Sequence, residues 1–576
     1  MVAILMIRFM PFALSTFLFW LTVLPVAAMA AGDAPGVTTD PSLAALGERL
    51  YKTGIGTSGK PVAAIDLSGQ QVFAPQFHCA ACHRNSGYGS REGGVYIPPI
   101  VGKVLYEPMT PNRARSFNSM YFQDKNAEMA ARINSARTRP AYDLVTLERL
   151  LQTGVDAAGE QIPHAMPRFE VSRRDVEALD AWLHVLSGQP DPGVNGKAIQ
   201  FAVIISDRTP ELTRRALLDT TRVYFERINK NIASDRSRPN FSPLFRSEFE
   251  SFWREWALQV WTLRGDEATW PEQLAEYYNA SPVFAVIGGS VVAPWQPVGD
   301  FCDRNKLPCL FPLTDLPAEG ANAGGYTLYA YGGLPLEAAV MAEFLGRDGK
   351  RRRIIQLAAD AANGAIPAAA FGRYVGMAEP ANASDTVQVP SGDWDRAIVD
   401  ASRQLGQDDV LVVWPGSDAE AAVAALARAE PGTSRILLAS GAEPFAVAKL
   451  TGLPIADRVR IMHPTELPSI INPHSYRVRA WLNARRVVVD PPEEQFQVYY
   501  ALSVLEKAVM EIQGDYSREY LIEEIEMIAE SNLSPGVYPN LTLGPGQRIA
   551  SRGSYVVKLD PNEEGGVSLD GDWIVP

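Results

Sequence analysis

From Ile199 onwards, short apolar runs alternate with amphipathic stretches, and this alternation leaves few folds open to the chain. The runs are Ile199 to Ile205, Val283 to Ile287, Cys309 to Leu313, Arg353 to Leu357, Val410 to Trp414 and Ile436 to Ala439. Between them, Pro210 to Lys230 and Asp418 to Ala429 carry apolar residues at helical spacing. Strands that are apolar on both faces belong to parallel sheets, and parallel neighbours need crossover helices. The expectation is an α/β architecture with helices on both faces of a parallel sheet and ligands at the carboxyl ends of the strands. At 576 residues the chain is too long for one core, so further folding units are expected.

The first thirty residues are of another kind. Arg8 is the only early charge, an apolar run extends from Phe9 to Val26, and Ala28-Met29-Ala30 offers small residues for cleavage. Residues 1–30 read as a signal peptide of an exported, periplasmic protein, with an uncleaved membrane anchor as the alternative. The net charge of −13 is unevenly placed, because Asp40 to Gly188 holds 16 Lys and Arg against 15 Asp and Glu. An acidic chain without a basic stripe excludes nucleic acid as a partner.

The four cysteines form two close pairs. Cys79-Ala80-Ala81-Cys82-His83 has the spacing of c-type haem attachment: two thiols three positions apart reach the two vinyl groups of one porphyrin, and the next residue aims an imidazole at the iron. A redox disulfide calls for a βαβ context and a zinc site for further ligands, and neither fits the surrounding sequence. One covalent haem c is therefore expected, on Cys79 and Cys82, with His83 as proximal ligand. Met166, held between Pro163 and Pro167, is the candidate sixth ligand, in competition with Met109, Met120 and His164. After it, Ser172 is placed to cap an amphipathic helix carrying Val176, Leu179, Trp182, Leu183 and Leu186. Arg113, Arg115, Arg132, Arg137 and Arg139 read as a solvated face, or as a docking patch for an acidic redox partner. Cys302 and Cys309, in an oxidising compartment, are expected to form a structural disulfide.

Two resemblances rest on these residues. Cys79 to His83, the Ala165-Met166-Pro167 loop and the Asp180-Ala181-Trp182-Leu183 helix resemble class I c-type cytochromes over residues 40–190. That resemblance implies an all-α domain with Cys79 and Cys82 as thioether attachments and His83 and Met166 as axial ligands; Pro98 or Pro99 would supply a carbonyl to the His83 imidazole. Residues 197–576 resemble type I periplasmic binding proteins of the branched-chain amino-acid group. The segments that carry the likeness are Val283 to Ser290, Phe301 to Asp315, the Gln495 to Glu511 helix and the Leu543 to Val557 tail. The implication is a two-lobed α/β domain closing on a solute, with Ser290 and Thr314 in loops where family members bind a ligand carboxylate; a cap or turn role is open for both. Tyr331-Gly332-Gly333-Leu334-Pro335-Leu336-Glu337 departs from the family pattern. Gly188 to Gly193 reads as a plain linker between the two domains.

No Gly-x-Ser-x-Gly, Gly-Lys phosphate loop or His-Glu-x-x-His is present, so the chain is not expected to be an enzyme. His463 and His474 read as loop histidines, and Glu493/Glu494 and Glu523/Glu524 as solvated helix faces. The functional expectation is electron transfer through the haem to or from a redox partner such as a periplasmic dehydrogenase, with the second domain docking or sensing. The alternative is a solute receptor of a transport system with an ancillary haem. A haem enzyme needs an open sixth position, which Met166 ligation opposes.

Overall fold

The computed structural model describes residues 40–576 except 67, 74–76, 93, 94, 110–137, 164, 238–253, 321–323, 348, 379–383, 391, 430–433, 513 and 530–536. The expected signal peptide, and Arg113, Arg115, Met120, Arg132, Arg137 and His164, lie outside the described residues.

The N-terminal unit comprises α1 (Pro41–Thr53), β1 (Ala63–Ile65), β2 (Gln71–Phe73), α2 (Cys79–His83), β3 (Ser90–Glu92), β4 (Val95–Ile97), α3 (Gly102–Leu105), α4 (Leu144–Thr153), β5 (Arg168–Phe169) and α5 (Arg173–Val185). Asp40 caps α1 by accepting from the Ser42 N–H. Ser172 caps α5 by accepting from the Asp175 N–H, as its position in the sequence suggests. The two helices pack directly on each other at Gly47, where a Cβ would lie 1.9 Å from the Ala178 carbonyl oxygen and 2.8 Å from Trp182 Cβ. Only glycine permits that approach. The expectation of an all-α unit is corrected: β1 pairs antiparallel with β2 and β5, and β3 with β4. These strands are two or three residues long, too short for a period to show in sequence, and the β1–β2 turn is made by Asp66 accepting from the Ser68 and Gln70 N–H groups.

The next segment runs through β6 (Ala198–Ser206), α6 (Glu211–Ser237), β7 (Glu255–Leu263), α7 (Trp270–Ala280), β8 (Ala285–Ile287), α8 (Gln296–Arg304), β9 (Cys309–Leu310) and β10 (Thr327–Tyr331). Helix α9 (Gly333–Gly346) carries the chain into a second lobe. That lobe contains β11 (Ile354–Ala359), α10 (Ala362–Ala378), β12 (Ser384–Val389), α11 (Trp394–Ser402), β13 (Val410–Trp414), α12 (Ala419–Ala429), β14 (Arg435–Leu438), α13 (Glu443–Leu450) and β15 (Val459–His463). The chain returns to the first lobe as α14 (Pro468–Asn483), α15 (Pro492–Glu511), α16 (Arg518–Ala529) and β16 (Ile549–Ser551). It crosses again to end in β17 (Tyr555–Leu559) and β18 (Val567–Leu569). The first sheet, β16-β10-β9-β8-β6-β7, is wholly parallel. The second, β12-β11-β13-β14-β15-β17-β18, is parallel except for β17 and β18. All six strands read from the apolar runs are present. Cys302 and Cys309 form the expected disulfide between α8 and β9.

Three expectations about surfaces are corrected. Glu523 and Glu524 on α16 are 7% and 4% exposed rather than solvated, because the N-terminal unit covers this helix. Ser86 donates its N–H to Glu523 Oε1 at 3.1 Å and its hydroxyl to Oε2; Tyr88 stacks on Tyr520 with ring centroids 4.1 Å apart; Arg84 pairs with Glu526 and Lys103 with Asp515. The Gly188–Gly193 linker is fastened, not plain: Asp191 N–H donates to the Tyr516 carbonyl, and the Arg518 N–H and guanidinium donate to Asp191 and to the Pro192 carbonyl. Finally, His463 ends β15, buried and 2.6 Å from Glu443, while His474 lies within α14 rather than in a loop.

Two outcomes are expected. Gly47→Val forces α1 from α5 and lowers unfolding stability by about 2 kcal/mol or more, read from chemical denaturation. Desolvation pushes the Glu523 and Glu524 carboxyls from 4.5 up to about 8. The unfolded chain releases these protons near 4.5 and the folded chain keeps them, so their contribution is full below 4.5 and is lost as pH rises to about 8. Stability measured at pH 5 and pH 8 should fall between the two, and Glu523→Gln with Glu524→Gln should flatten the slope.

Candidate functional site

The carboxyl ends of both parallel sheets converge where the chain passes between the lobes. From the first lobe come Ser290 after β8, Thr314 and Asp315 after β9, and Tyr331 at the end of β10; from the second come Ser440 after β14 and His463 at the end of β15. The passage at α9 supplies Glu337, and the returning first-lobe segment adds Glu493 and Glu494 at the start of α15 and, before β16, Tyr538. The loop after β9 lies so close to the start of α9 that a Cβ on Gly333 would sit 2.2 Å from the Asp315 carbonyl oxygen; its φ of +64° is the second reason for glycine. That oxygen accepts from the Leu334 N–H at 2.8 Å.

Asp315 is solvent-accessible, yet desolvation by the protein around it lifts its carboxyl above the ordinary range. Both hold for a side chain standing inside a cleft. Glu337 is buried and spans the lobes, accepting from the Ser440 N–H at 2.9 Å and the Ser440 hydroxyl at 2.5 Å. Desolvation raises it to about 8 against those two hydrogen bonds, with Asp315 and Glu443 adding to the rise. Tyr331 and Tyr538 stack with centroids 5.1 Å apart, and Gln497 donates to the Tyr538 hydroxyl at 2.6 Å. Glu494 accepts from the Thr213 hydroxyl at 3.1 Å, and desolvation raises its carboxyl too. Burial opposes charge on His463, but the Glu443 contact holds it above its ordinary value.

Of the residues the sequence pointed to here, Thr314 turns its hydroxyl to the Leu316 N–H at 3.2 Å, the turn role left open for it. Ser290 is 8% exposed, and its carbonyl accepts from the Thr209 hydroxyl at 2.7 Å. Asp315, Tyr331, Glu337 and Tyr538 were not singled out. The signal that finds the first two is their place directly after or at the end of a parallel strand.

The second site candidate lies in the N-terminal unit. The α2 helix is the Cys79–His83 segment itself. His83 Nδ1 is 2.9 Å from the Pro98 carbonyl oxygen, and a carbonyl only accepts, so Nδ1 carries the proton and donates. Desolvation lowers the imidazole to about 4, which keeps it neutral and leaves the lone pair on Nε2. Cys79 and Cys82 are not bridged to each other, and burial pushes the Cys79 thiol up to about 12. Met166 and Cys79 both pack against the apolar cluster that contains Leu50, Tyr51 and Leu179, as does Met109. Arg139, in the expected docking patch, is instead spent internally, donating to the Val104, Leu105 and Pro140 carbonyls. Among the described residues no group of three or more His, Cys, Asp or Glu is placed to hold a metal ion, and no helix is long and apolar enough to cross a membrane.

A family model described as periplasmic binding protein matches residues 264–565. Solved structures similar to the chain include a fatty acid ABC transporter substrate-binding protein from Thermomonospora curvata, at 17% identity over 67% of this chain and 95% of that one, with a TM-score of 0.47. A leucine-binding protein from Thermotoga maritima is 16% identical over 66% of this chain and 99% of its own, with a TM-score of 0.45. A branched-chain amino acid ABC transporter protein from Thermus thermophilus with bound valine is 11% identical over 66% and 97%, with a TM-score of 0.46. No curated protein matches the chain. Since the family model spans just over half of its length, the chain belongs to the periplasmic binding protein family, and is a binding protein rather than an enzyme.

Proposed function

We propose that this chain is a periplasmic receptor that captures a small solute between its two lobes and presents it to a transport system. The observation that carries the reading is the convergence of strand ends from both parallel sheets on one cleft crossed by three chain passages, at α9, at α14 and between β16 and β17. Such a cleft closes when a solute touches both lobes, since binding energy is gained only in the closed arrangement. A screen of small periplasmic solutes by thermal melting, followed by small-angle scattering on hits, tests it. A true ligand at a hundredfold excess over its Kd should stabilise the protein by about 2.7 kcal/mol and reduce the radius of gyration. Solutes that neither stabilise nor compact the chain argue against a receptor.

A second reading is favoured by a separate observation, the proton fixed on His83 Nδ1 by Pro98. In it Cys79 and Cys82 would hold one covalent haem c, His83 and Met166 would ligate its iron, and the unit would exchange electrons with a redox partner such as a periplasmic dehydrogenase. The residues fit the group: two thiols at the right spacing, and a neutral imidazole whose Nε2 lone pair is left for a metal while its other nitrogen is oriented by a carbonyl. The haem would supply one-electron transfer; the chain supplies ligands, burial and the fixed tautomer. A pyridine haemochrome spectrum after acid-acetone extraction should show one retained haem per chain. Met166→Ala should keep that haem but lower its potential, because thioether ligation raises it. Loss of all haem on extraction removes this reading, and an unchanged potential removes Met166 from the site.

A further inference from the structure

Among the described residues the cleft is lined mainly by acids, which do not suit a carboxylate. Asp315, Glu337, Glu443, Glu493 and Glu494 stand around it, each close enough to another member to influence its ionisation. Among the described residues, burial governs the Asp315 carboxyl, and no cation or hydrogen-bond donor acts on it. Glu494 has Thr213 as its donor and Asp315 and Glu493 as acidic neighbours. His463, the basic side chain at the end of β15, is already engaged by Glu443 at 2.6 Å.

A second, independent observation is the Tyr331 hydroxyl. Tyr331 is 7% exposed and its oxygen has no hydrogen-bond partner within 3.5 Å. Glu337, Tyr538 and Asp315 act on its ionisation, and the Ser554 side chain makes only a long hydrogen-bond approach to it, so the hydroxyl stands among the acids of the cleft. The buried Oε2 of Glu494 is likewise without a partner. Buried polar atoms left unpaired are costly, and a site that keeps them is arranged for something that pairs them. A phenol oxygen and a carboxylate oxygen side by side are together complementary to a hydrogen-bond donor, and a donor that also carries positive charge matches the acids around them.

We propose that the interlobe cleft takes a small organic cation, a protonated amine without a free carboxylate, whose ammonium group donates to Asp315 and to the Tyr331 hydroxyl beside the Tyr331–Tyr538 stack. The chemistry is charge-assisted hydrogen bonding supplemented by attraction of the cation to aromatic faces. A zwitterionic amino acid would bring its carboxylate among five acids. This assignment rests on the receptor reading and deepens it.

The test is isothermal titration of the full exported chain with four probes: n-butylammonium, 1,4-diaminobutane, L-leucine and isobutyrate. Binding of either amine, with L-leucine and isobutyrate at least tenfold weaker, is the expected result. Asp315→Asn, on an accessible side chain, should weaken the amine at least tenfold with the thermal midpoint unchanged, and Tyr331→Phe should weaken it while preserving the ring stack. Tighter binding of L-leucine or isobutyrate overturns the cation assignment and leaves the receptor standing. Amine binding that Asp315→Asn leaves intact also overturns it. Failure of all four probes overturns the assignment, and the solute screen then decides the receptor reading separately.

Discussion

Glu526 joins the two parts of the molecule. Its Oε2 accepts from Arg84 of the N-terminal unit at 2.5 Å and its Oε1 from Arg548 beside β16 at 2.8 Å, and all three side chains are buried. Charges so far from water persist only when paired, and removing one member of a buried pair costs about 3–5 kcal/mol. The triad therefore fixes one register for the docking of the N-terminal unit, and neighbouring contacts follow from it. Arg84 has a φ of +64°, an uncommon conformation for a side-chain-bearing residue, and the Tyr51 hydroxyl holds it there by donating to the Arg84 carbonyl at 2.6 Å. Arg84 directly follows His83. The same backbone that turns the guanidinium towards α16 thus sets where the imidazole emerges from α2.

A second arginine secures the other edge of this junction. Arg518, 4% exposed, donates to the carbonyls of Pro192, Val283, Phe284 and Asn305 and to the Tyr278 hydroxyl. Its planar fork of donors suits a task that a lysine could not perform. It ties the segment between the domains to the ends of β8 and α8. Since α16 begins at Arg518 and includes Glu526, one helix carries both fastenings.

The sequence was legible where a single period or motif governs a segment. The six apolar runs became six strands because a parallel strand buried on both faces has to be continuously apolar, and Ser172 was readable as a cap because its partner is three residues away. What escaped was set by distant contacts. β7 carries Gln259 and Thr262 among its apolar residues, and β12 is largely exposed at the sheet edge, so neither shows a continuous run. Glu523 and Glu524 look like any pair of acids on a surface helix; only the arrival of Ser86 and Tyr88, more than four hundred residues earlier in the chain, makes them interior. In the cleft the Thr314 hydroxyl accepts from the Leu316 N–H of its own turn, while its neighbour Asp315, in the same family-like segment but not picked out as a ligand contact, is the more accessible of the two. Which of two adjacent polar residues looks into a cleft depends on the loop conformation, and composition does not reveal it.

These fastenings determine which part of the molecule can move. The N-terminal unit and the first lobe share one apolar cluster, running from Leu50, Leu150 and Leu179 through Ile199 and Phe201 to Leu505, Leu521 and Leu543. The second lobe packs around clusters of its own, on either face of its sheet. Closely packed interiors do not slide, whereas chain passages can bend. Closure of the cleft is accordingly a movement of the second lobe against a body that already includes the N-terminal unit. On the receptor reading, solute capture would leave the described contacts of His83 unchanged, because Pro98, Tyr51 and Arg84, which position it, lie inside that body. If the haem and receptor readings proposed above both hold, any influence of solute on a redox partner would come from the surface that the second lobe covers or uncovers, not from a rearrangement around the Cys79–His83 segment.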